Sequence, residues 1–241
     1  MIIIPARIAS SRFPNKVLAD IAGTPMVIRT AKAVEGIDRV VIATDAQEVI
    51  DVAKEHGIEA VMTSKNHNSG TDRIYEVTEI LNLADDEIII NVQGDEPFIE
   101  KEVVQAIFDI TLHNRSNPNI MMNSCYKQIS SKEAKDSNLV KVVTTYDNIA
   151  LYFSRAKIPF AREEEITEYK GHIGIYGFTK SSLKKFCRLS PAPLEEIEKL
   201  EQLRALYHGY QVAMVKVDTQ SFGIDTPKDL VTALKLYENS H

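Results

Sequence analysis

Short apolar runs alternate with longer segments whose apolar residues recur at helical spacing, and this alternation dominates the first half of the chain. Runs at 2–5, 40–44, 59–62 and 88–92 predict buried strands, and stretches at 25–34, 46–56, 72–81 and 101–113 predict amphipathic helices. Such an order builds βαβ units around a largely parallel sheet. Pro25 suits a helix start, and Asp45 is the expected cap of the helix at 46–56. Beyond Asn114 the pattern turns β-rich, with strands expected at 120–127, 140–145 and 171–178. Leu194, Ile197, Leu200, Leu203, Leu206 and Tyr207 then predict one helix over 194–207 with a buried face. A strand at 211–217 and a helix at 227–237 follow. No repeat or long linker interrupts the pattern, so a single α/β domain over 1–241 is expected.

The length of 241 residues suffices for a substantial core without staples. Cys125 and Cys187 are too few for a disulfide framework and form no Cys-x-x-Cys pair for zinc. The opening Met-Ile-Ile-Ile-Pro-Ala-Arg is too short for a signal core or a membrane span, which leads to an expectation of a cytoplasmic protein with no membrane partner. A net charge of −6 offers no broad cationic field for nucleic acid. Against that background, Arg7, Arg12 and Lys16 all precede the first carboxylate, Asp20.

These cations follow the first expected strand, and loops at the carboxyl ends of parallel strands are the usual ligand crevice of open α/β sheets. Arginine forks match phosphate oxygens and a lysine stabilises charge on a reacting phosphoryl group, although the same residues suit a solvated basic loop. The run 88–92 leads into Gln93, Gly94, Asp95 and Glu96. A core-anchored strand end holds a carboxylate rigidly, which suits Asp95 as a magnesium ligand; a plain strand-ending turn is the alternative. Asp225 precedes Thr226 and Pro227, so helix capping is its default role and a second metal carboxylate the other. Ser69, Gly70, Thr71, Asp72 and Arg73 form a helix start that serves either for polar ligand atoms or for capping by Thr71 and Asp72. Farther on, Arg155 and His172 suit a carboxylate, while Tyr176, Glu201 and Gln202 suit sugar hydroxyls. The glutamate-rich stretch around Glu195 equally reads as a solvated face, with Glu195 and Lys199 as an i,i+4 pair.

Taken in order, these segments resemble the 3-deoxy-manno-octulosonate (Kdo) cytidylyltransferases over nearly the whole chain. The resemblance rests on Ile3 to Arg7, Ser11-Arg12, Pro14-x-Lys16, Ala43-Thr-Asp45, His67-x-Ser69-Gly-Thr71-x-Arg73 and Asn91 to Pro97. It continues through Val140 to Val143, Leu151 to Arg155, His172-x-Gly-Ile-Tyr176-Gly, Pro193-Leu-Glu195, Glu201-Gln-Leu-Arg204 and Gly223-x-Asp225-Thr-Pro. It implies a Rossmann-like nucleotide-diphospho-sugar transferase fold with a mostly parallel central sheet, a smaller sugar-binding and dimerisation part, and a homodimer. Residues 1–115 would mainly bind CTP; residues 116–241 would bind sugar and dimerise, returning to the core with Asp225. Arg7, Ser11, Arg12 and Lys16 would hold the CTP phosphates, with Ser69, Arg73 and Gln93 near the nucleotide. Asp95 and Asp225 would hold magnesium. Arg155, His172, Tyr176, Glu201 and Gln202 would form the Kdo pocket, with Gln93 in reach of the sugar.

The implied reaction joins CTP to Kdo, giving CMP-Kdo and pyrophosphate for lipopolysaccharide biosynthesis. Two anions must meet, so charge neutralisation and alignment should dominate over any nucleophilic side chain. Where this family often carries glycine before the basic-loop lysine, this chain has Asn15, a residue that tolerates positive φ. An enzyme of the same architecture acting on another acidic sugar, such as an eight-carbon amino analogue or a sialic acid, and a non-catalytic nucleotide-sugar sensor are the competing readings.

Overall fold

The structure, a computed structural model, describes residues 1–8, 13–67, 69–163, 168–221, 223–224 and 226–239, the side chains of 236–239 excepted. In chain order the elements begin with β1 (Ile2–Ala6), β2 (Asp20–Ile21), β3 (Thr24–Pro25), α1 (Met26–Ala33), β4 (Val40–Thr44), α2 (Gln47–Glu55) and β5 (Glu59–Met62). There follow α3 (Gly70–Ile80), β6 (Ile88–Asn91), α4 (Lys101–Asn114), β7 (Ile120–Ser130), β8 (Lys141–Thr144), β9 (Ala150–Ser154) and β10 (Glu168–Thr179). The chain continues with α5 (Lys180–Cys187), α6 (Pro193–Glu198), α7 (Gln202–Tyr207), β11 (Gln211–Lys216) and α8 (Pro227–Asn239). They gather into two compact units, one of residues Met1–Leu83, Ile89–Val104 and Gln220–His241, the other of Ala84–Ile88 and Gln105–Thr219.

In the first unit the strand order β6-β1-β4-β5 is parallel throughout. Ile2, Ile3, Ile4, Val41, Ile42, Ile89 and Ile90 are fully buried, as continuous apolar runs in a sheet covered on both faces should be. The expected strands and helices stand within two residues of their predicted bounds. One turn eluded the pattern: β2 and β3 pair through Ala22 and Gly23, both at positive φ (49° and 78°), the conformation that a two-residue hairpin demands. A core of Ile21, Met26, Ile224 and Ala233, flanked by Phe13, Phe98 and Leu230, brings α8 into this unit.

In the second unit β7 lies between β11, parallel to it, and β10, antiparallel, while β8 pairs with both β10 and β9. The helix expected over 194–207 is broken here. Lys199 takes a left-handed conformation (φ 53°, ψ 49°) between α6 and α7, so only part of the apolar stripe faces inward. Leu200 and Leu203 are buried, whereas Ile197 is 77% and Tyr207 55% exposed. Glu195 does not pair with Lys199. It makes a bidentate pair with Arg204 at 2.8 and 2.5 Å, tying the two short helices together.

Candidate active site

In the first unit the ends of three elements converge on Pro5. A Cβ on Gly94 would stand 2.9 Å from the Pro5 carbonyl oxygen, and one on Gly70 3.3 Å from Pro5 Cγ, so both glycines permit close approach to the end of β1. Arg7 lies one residue past β1, Asp95 follows Gly94 four residues past β6, and Ser69 precedes Gly70 at the start of α3. Arg7 is exposed and makes no ion pair among the described residues. Lys16 Nζ lies 2.5 Å from Asp95 Oδ2, with 13% and 25% of the two side chains exposed. Asn15 holds φ at 55°, so the turn before Lys16 has the left-handed conformation that its asparagine was expected to tolerate. Ser11, Arg12 and Asp225 lie outside the described residues. The neighbouring Ile224 donates its N–H to the Asp95 carbonyl at 2.9 Å, and Thr226 caps α8 through reciprocal hydrogen bonds with Asp229.

Two capping expectations fail here. Ser69, and not Thr71 or Asp72, is the N-cap of α3: its hydroxyl accepts the Asp72 N–H at 3.1 Å and donates to the Asp72 carboxylate at 3.0 Å. Asp45 makes no cap for α2, whose N-cap is Ala46. Its carboxylate accepts from Arg73 Nη2 at 2.7 Å, while Arg73 Nη1 donates to Thr63 Oγ1 at 2.5 Å. Arg73 is only 3% exposed, and a buried guanidinium requires such partners. It thereby ties the loops after β4 and β5 to α3. Gln93 is half-buried, its amide 3.4 Å from Asn91 Oδ1. Within α3, Glu76 accepts from Ser64 N and sits 2.6 Å from His67 Nε2, both in the segment before the helix; burial acts to raise its carboxyl, but these bonds hold it below the usual range.

The second unit gathers His172, Tyr176 and Gln202. The His172 ring lies 4.9 Å from that of Phe153 and 5.6 Å from that of Tyr176, and Tyr176 Oη donates to Gln202 Oε1 at 3.1 Å. Burial pulls the His172 imidazole down to about 3, so at neutral pH it is uncharged. An uncharged ring offers one N–H donor and one acceptor nitrogen. Burial, and secondly Glu201, pushes the Tyr176 hydroxyl far above its ordinary range, which keeps it a donor. Gln202 is 2% exposed, and its Nε2 has no partner among the described residues.

Arg155 sits apart from that cluster's hydrogen bonds. Its Nε donates to the Glu198 carbonyl at 2.7 Å, Nη1 to Ser137 O at 3.1 Å and Nη2 to Lys199 O at 3.5 Å. Those of Glu198 and Lys199 are carbonyls that the helix break leaves without intrahelical partners. The Glu198 carboxylate in turn accepts from Ser154 Oγ and Arg155 N, and the fully buried Lys141 donates to the carbonyls of Asp136, Leu139 and Arg155. Arg155 therefore braces the turn that leads into Glu201 and Gln202.

The cytidylyltransferase family matches residues 1–217. The 3-deoxy-manno-octulosonate cytidylyltransferase of a Nitratiruptor species is 55% identical over 230 residues, spanning 95% of this chain and 96% of its own. The protein of that name from Wolinella succinogenes is 52% identical and aligns over 100% of both. The chain belongs to the 3-deoxy-manno-octulosonate cytidylyltransferase family. A solved CMP:2-keto-3-deoxy-manno-octonic acid synthetase complexed with CTP superposes with a TM-score of 0.91 at 37% identity, covering 100% of this chain and 98% of that one. A glucose-1-phosphate thymidylyltransferase from Bacillus anthracis, at 14% identity and a TM-score of 0.66, shares the fold alone.

The sequence assigned no supporting role to Thr63 in the first unit or to Ser124, Lys141 and Glu198 in the second. The only signal for Lys141 was a lysine inside an apolar run, which in a strand predicts a buried amine with carbonyl partners.

Proposed function

We propose that this chain is a magnesium-dependent cytidylyltransferase that transfers CMP from CTP to the anomeric hydroxyl of 3-deoxy-D-manno-octulosonate, releasing pyrophosphate. The observation that carries the reading is the pairing of Lys16 with Asp95 beside the close approach of Gly94 to Pro5, in a chain aligned end to end with enzymes of that name. In the reaction the C2 hydroxyl attacks the α-phosphorus in line as the bond to the β-phosphate oxygen breaks. Arg7, with its fork uncommitted, binds and orients the phosphates; Ser11 and Arg12 join it in the same basic loop. Lys16 exchanges its Asp95 partner for a phosphate oxygen and stabilises the charge that builds there. Ser69 and Gln93 border the nucleotide, and Arg73 holds the walls that shape its site.

Asp95 suits magnesium: it offers a hard carboxylate oxygen at the end of a buried strand, and Ile224, next to Asp225, is hydrogen-bonded to its backbone. Magnesium takes one or two protein carboxylates and fills its other positions from phosphate and water, so Asp95 and Asp225 would suffice. Asp95 and Asp225 would hold the magnesium, which would supply charge neutralisation for the phosphates.

For the sugar, Gln202 Nε2 is an unspent buried donor and Tyr176 an oriented hydroxyl, both suited to a polyhydroxylated acid. Glu201 borders the same pocket, and Arg155 holds it in shape. We place the enzyme in the cytoplasm, supplying lipopolysaccharide biosynthesis as a homodimer. No helix among the described residues is long and apolar enough to cross a membrane.

The deciding experiment is pyrophosphate release with CTP and magnesium, adding Kdo, its amino analogue or sialic acid separately and weighing each product by mass spectrometry. Kdo-dependent release with CMP-Kdo is expected. Release with another sugar alone would overturn the substrate, and no release from folded, CTP-binding protein would leave a nucleotide-sugar sensor.

A further inference from the structure

On β7, Ser124 is fully buried opposite Tyr176, at the point where the pairing with β10 shifts register between Ile173 and Tyr176. Such a bulge turns backbone carbonyls away from the regular ladder. Two of them meet one hydroxyl: Ser124 Oγ is 2.8 Å from Ile175 O and 3.2 Å from Ile173 O. The same oxygen is 2.9 Å from His172 Nε2. A hydroxyl has one proton, whereas a carbonyl oxygen only accepts, and a buried carbonyl left without a donor is costly. The Ser124 proton is therefore held by the carbonyls, and Oγ meets the imidazole with a lone pair. Nε2 must then carry the ring's proton, which leaves Nδ1 as a bare acceptor. Among the described residues Nδ1 has no hydrogen-bond partner. Desolvation keeps the ring uncharged, so Nδ1 remains an acceptor through neutral pH. Tyr176, whose ring lies 5.6 Å from that of His172, stays protonated through burial, with Glu201 and Cys125 acting on it the same way.

We propose that Ser124 is a positioning residue that fixes His172 as its Nε2–H tautomer, so that Nδ1 accepts a hydrogen bond from a hydroxyl of the sugar acid. This rests on the proposed transfer to Kdo and assigns His172 to a hydroxyl and not to the carboxylate. Together with Gln202 Nε2 the pocket then presents an acceptor and a donor, a combination that selects hydroxyl groups over methyl or methylene groups at the same place.

The test begins with the full chain labelled with 15N-histidine. Long-range 1H–15N spectra distinguish the two neutral tautomers from the imidazolium, and His172→Gln identifies the signal among the six histidines. An Nε2–H pattern that persists from about pH 8 to about pH 5 is expected. Ser124→Ala should convert it to a mixture of tautomers and raise KM for Kdo about tenfold while KM for CTP stays within about twofold. Ser124→Thr, which keeps the hydroxyl, should restore the tautomer. An Nδ1–H or cationic ring in the unsubstituted protein overturns the proposal even where Ser124→Ala does not fold, as does an unchanged KM for Kdo in folded Ser124→Ala. Failure of the proposed function is separate: it would appear as an Nε2–H ring in a protein that makes no CMP-Kdo.

Discussion

Acidification should destabilise this protein through one residue before the carboxylates contribute. His172 is 8% exposed among Phe153, Tyr176 and Ser124, and its imidazole falls from 6.5 to about 3 because burial penalises the cation. As pH falls below 6.5 the unfolded chain binds a proton here that the folded protein refuses until about 3. The contribution is thus fully present above 6.5 and is lost progressively across that interval. From about pH 8 to about pH 5 the loss amounts to roughly 2 kcal/mol. The carboxyls of Asp38 and Glu76, lowered against the opposing effect of burial, and that of Glu133, lowered by Ser130, act the same way only nearer their own range. Urea unfolding followed by far-UV circular dichroism at the two pH values, for the protein and for His172→Gln, isolates the effect. The variant should lose about 2 kcal/mol less on acidification. Equal losses in the two proteins would refute the assignment of a buried neutral imidazole.

Gly94→Ala should cost about 1–3 kcal/mol, because the new Cβ meets the Pro5 backbone and no flexible side chain can yield; an unchanged denaturation midpoint would count against that convergence. Asp95→Asn should retain the fold and lower turnover on the order of a hundredfold. Chelation should abolish turnover reversibly without changing the circular dichroism spectrum, and chelator-resistant activity would remove the metal role. Arg155→Ala strips donors from three carbonyls. It should weaken apparent Kdo affinity and speed amide exchange at 198–202, and normal exchange with normal affinity would show that the brace is dispensable.

The strands at 2–5, 40–44, 59–62 and 88–92 were legible because burial on both faces of a parallel sheet writes itself as a continuous apolar run. The positions of Arg7 and Asp95 just past β1 and β6 were likewise legible, since the apolar runs end there. Asn15 even announced its left-handed turn. Spacing misled wherever a distant partner outweighed the local pattern. Apolar periodicity over 194–207 carried no trace of Arg155, which satisfies the carbonyls exposed by the break at Lys199 from more than forty residues away. Asp45 had the chemistry of a cap, yet buried Arg73, 28 residues on, held the stronger claim to its charge. The protonation state of His172 lay still further from view, because desolvation and the single proton of Ser124, 48 residues earlier, exist only once β7 and β10 are paired. By itself the sequence determined the parallel α/β core and the family, through the hydrophobic periods and motifs it carries. Only the tertiary structure decided which polar side chains, such as Arg73, Lys141 and Arg155, are spent holding other segments, since burial and long-range hydrogen bonding arise from packing.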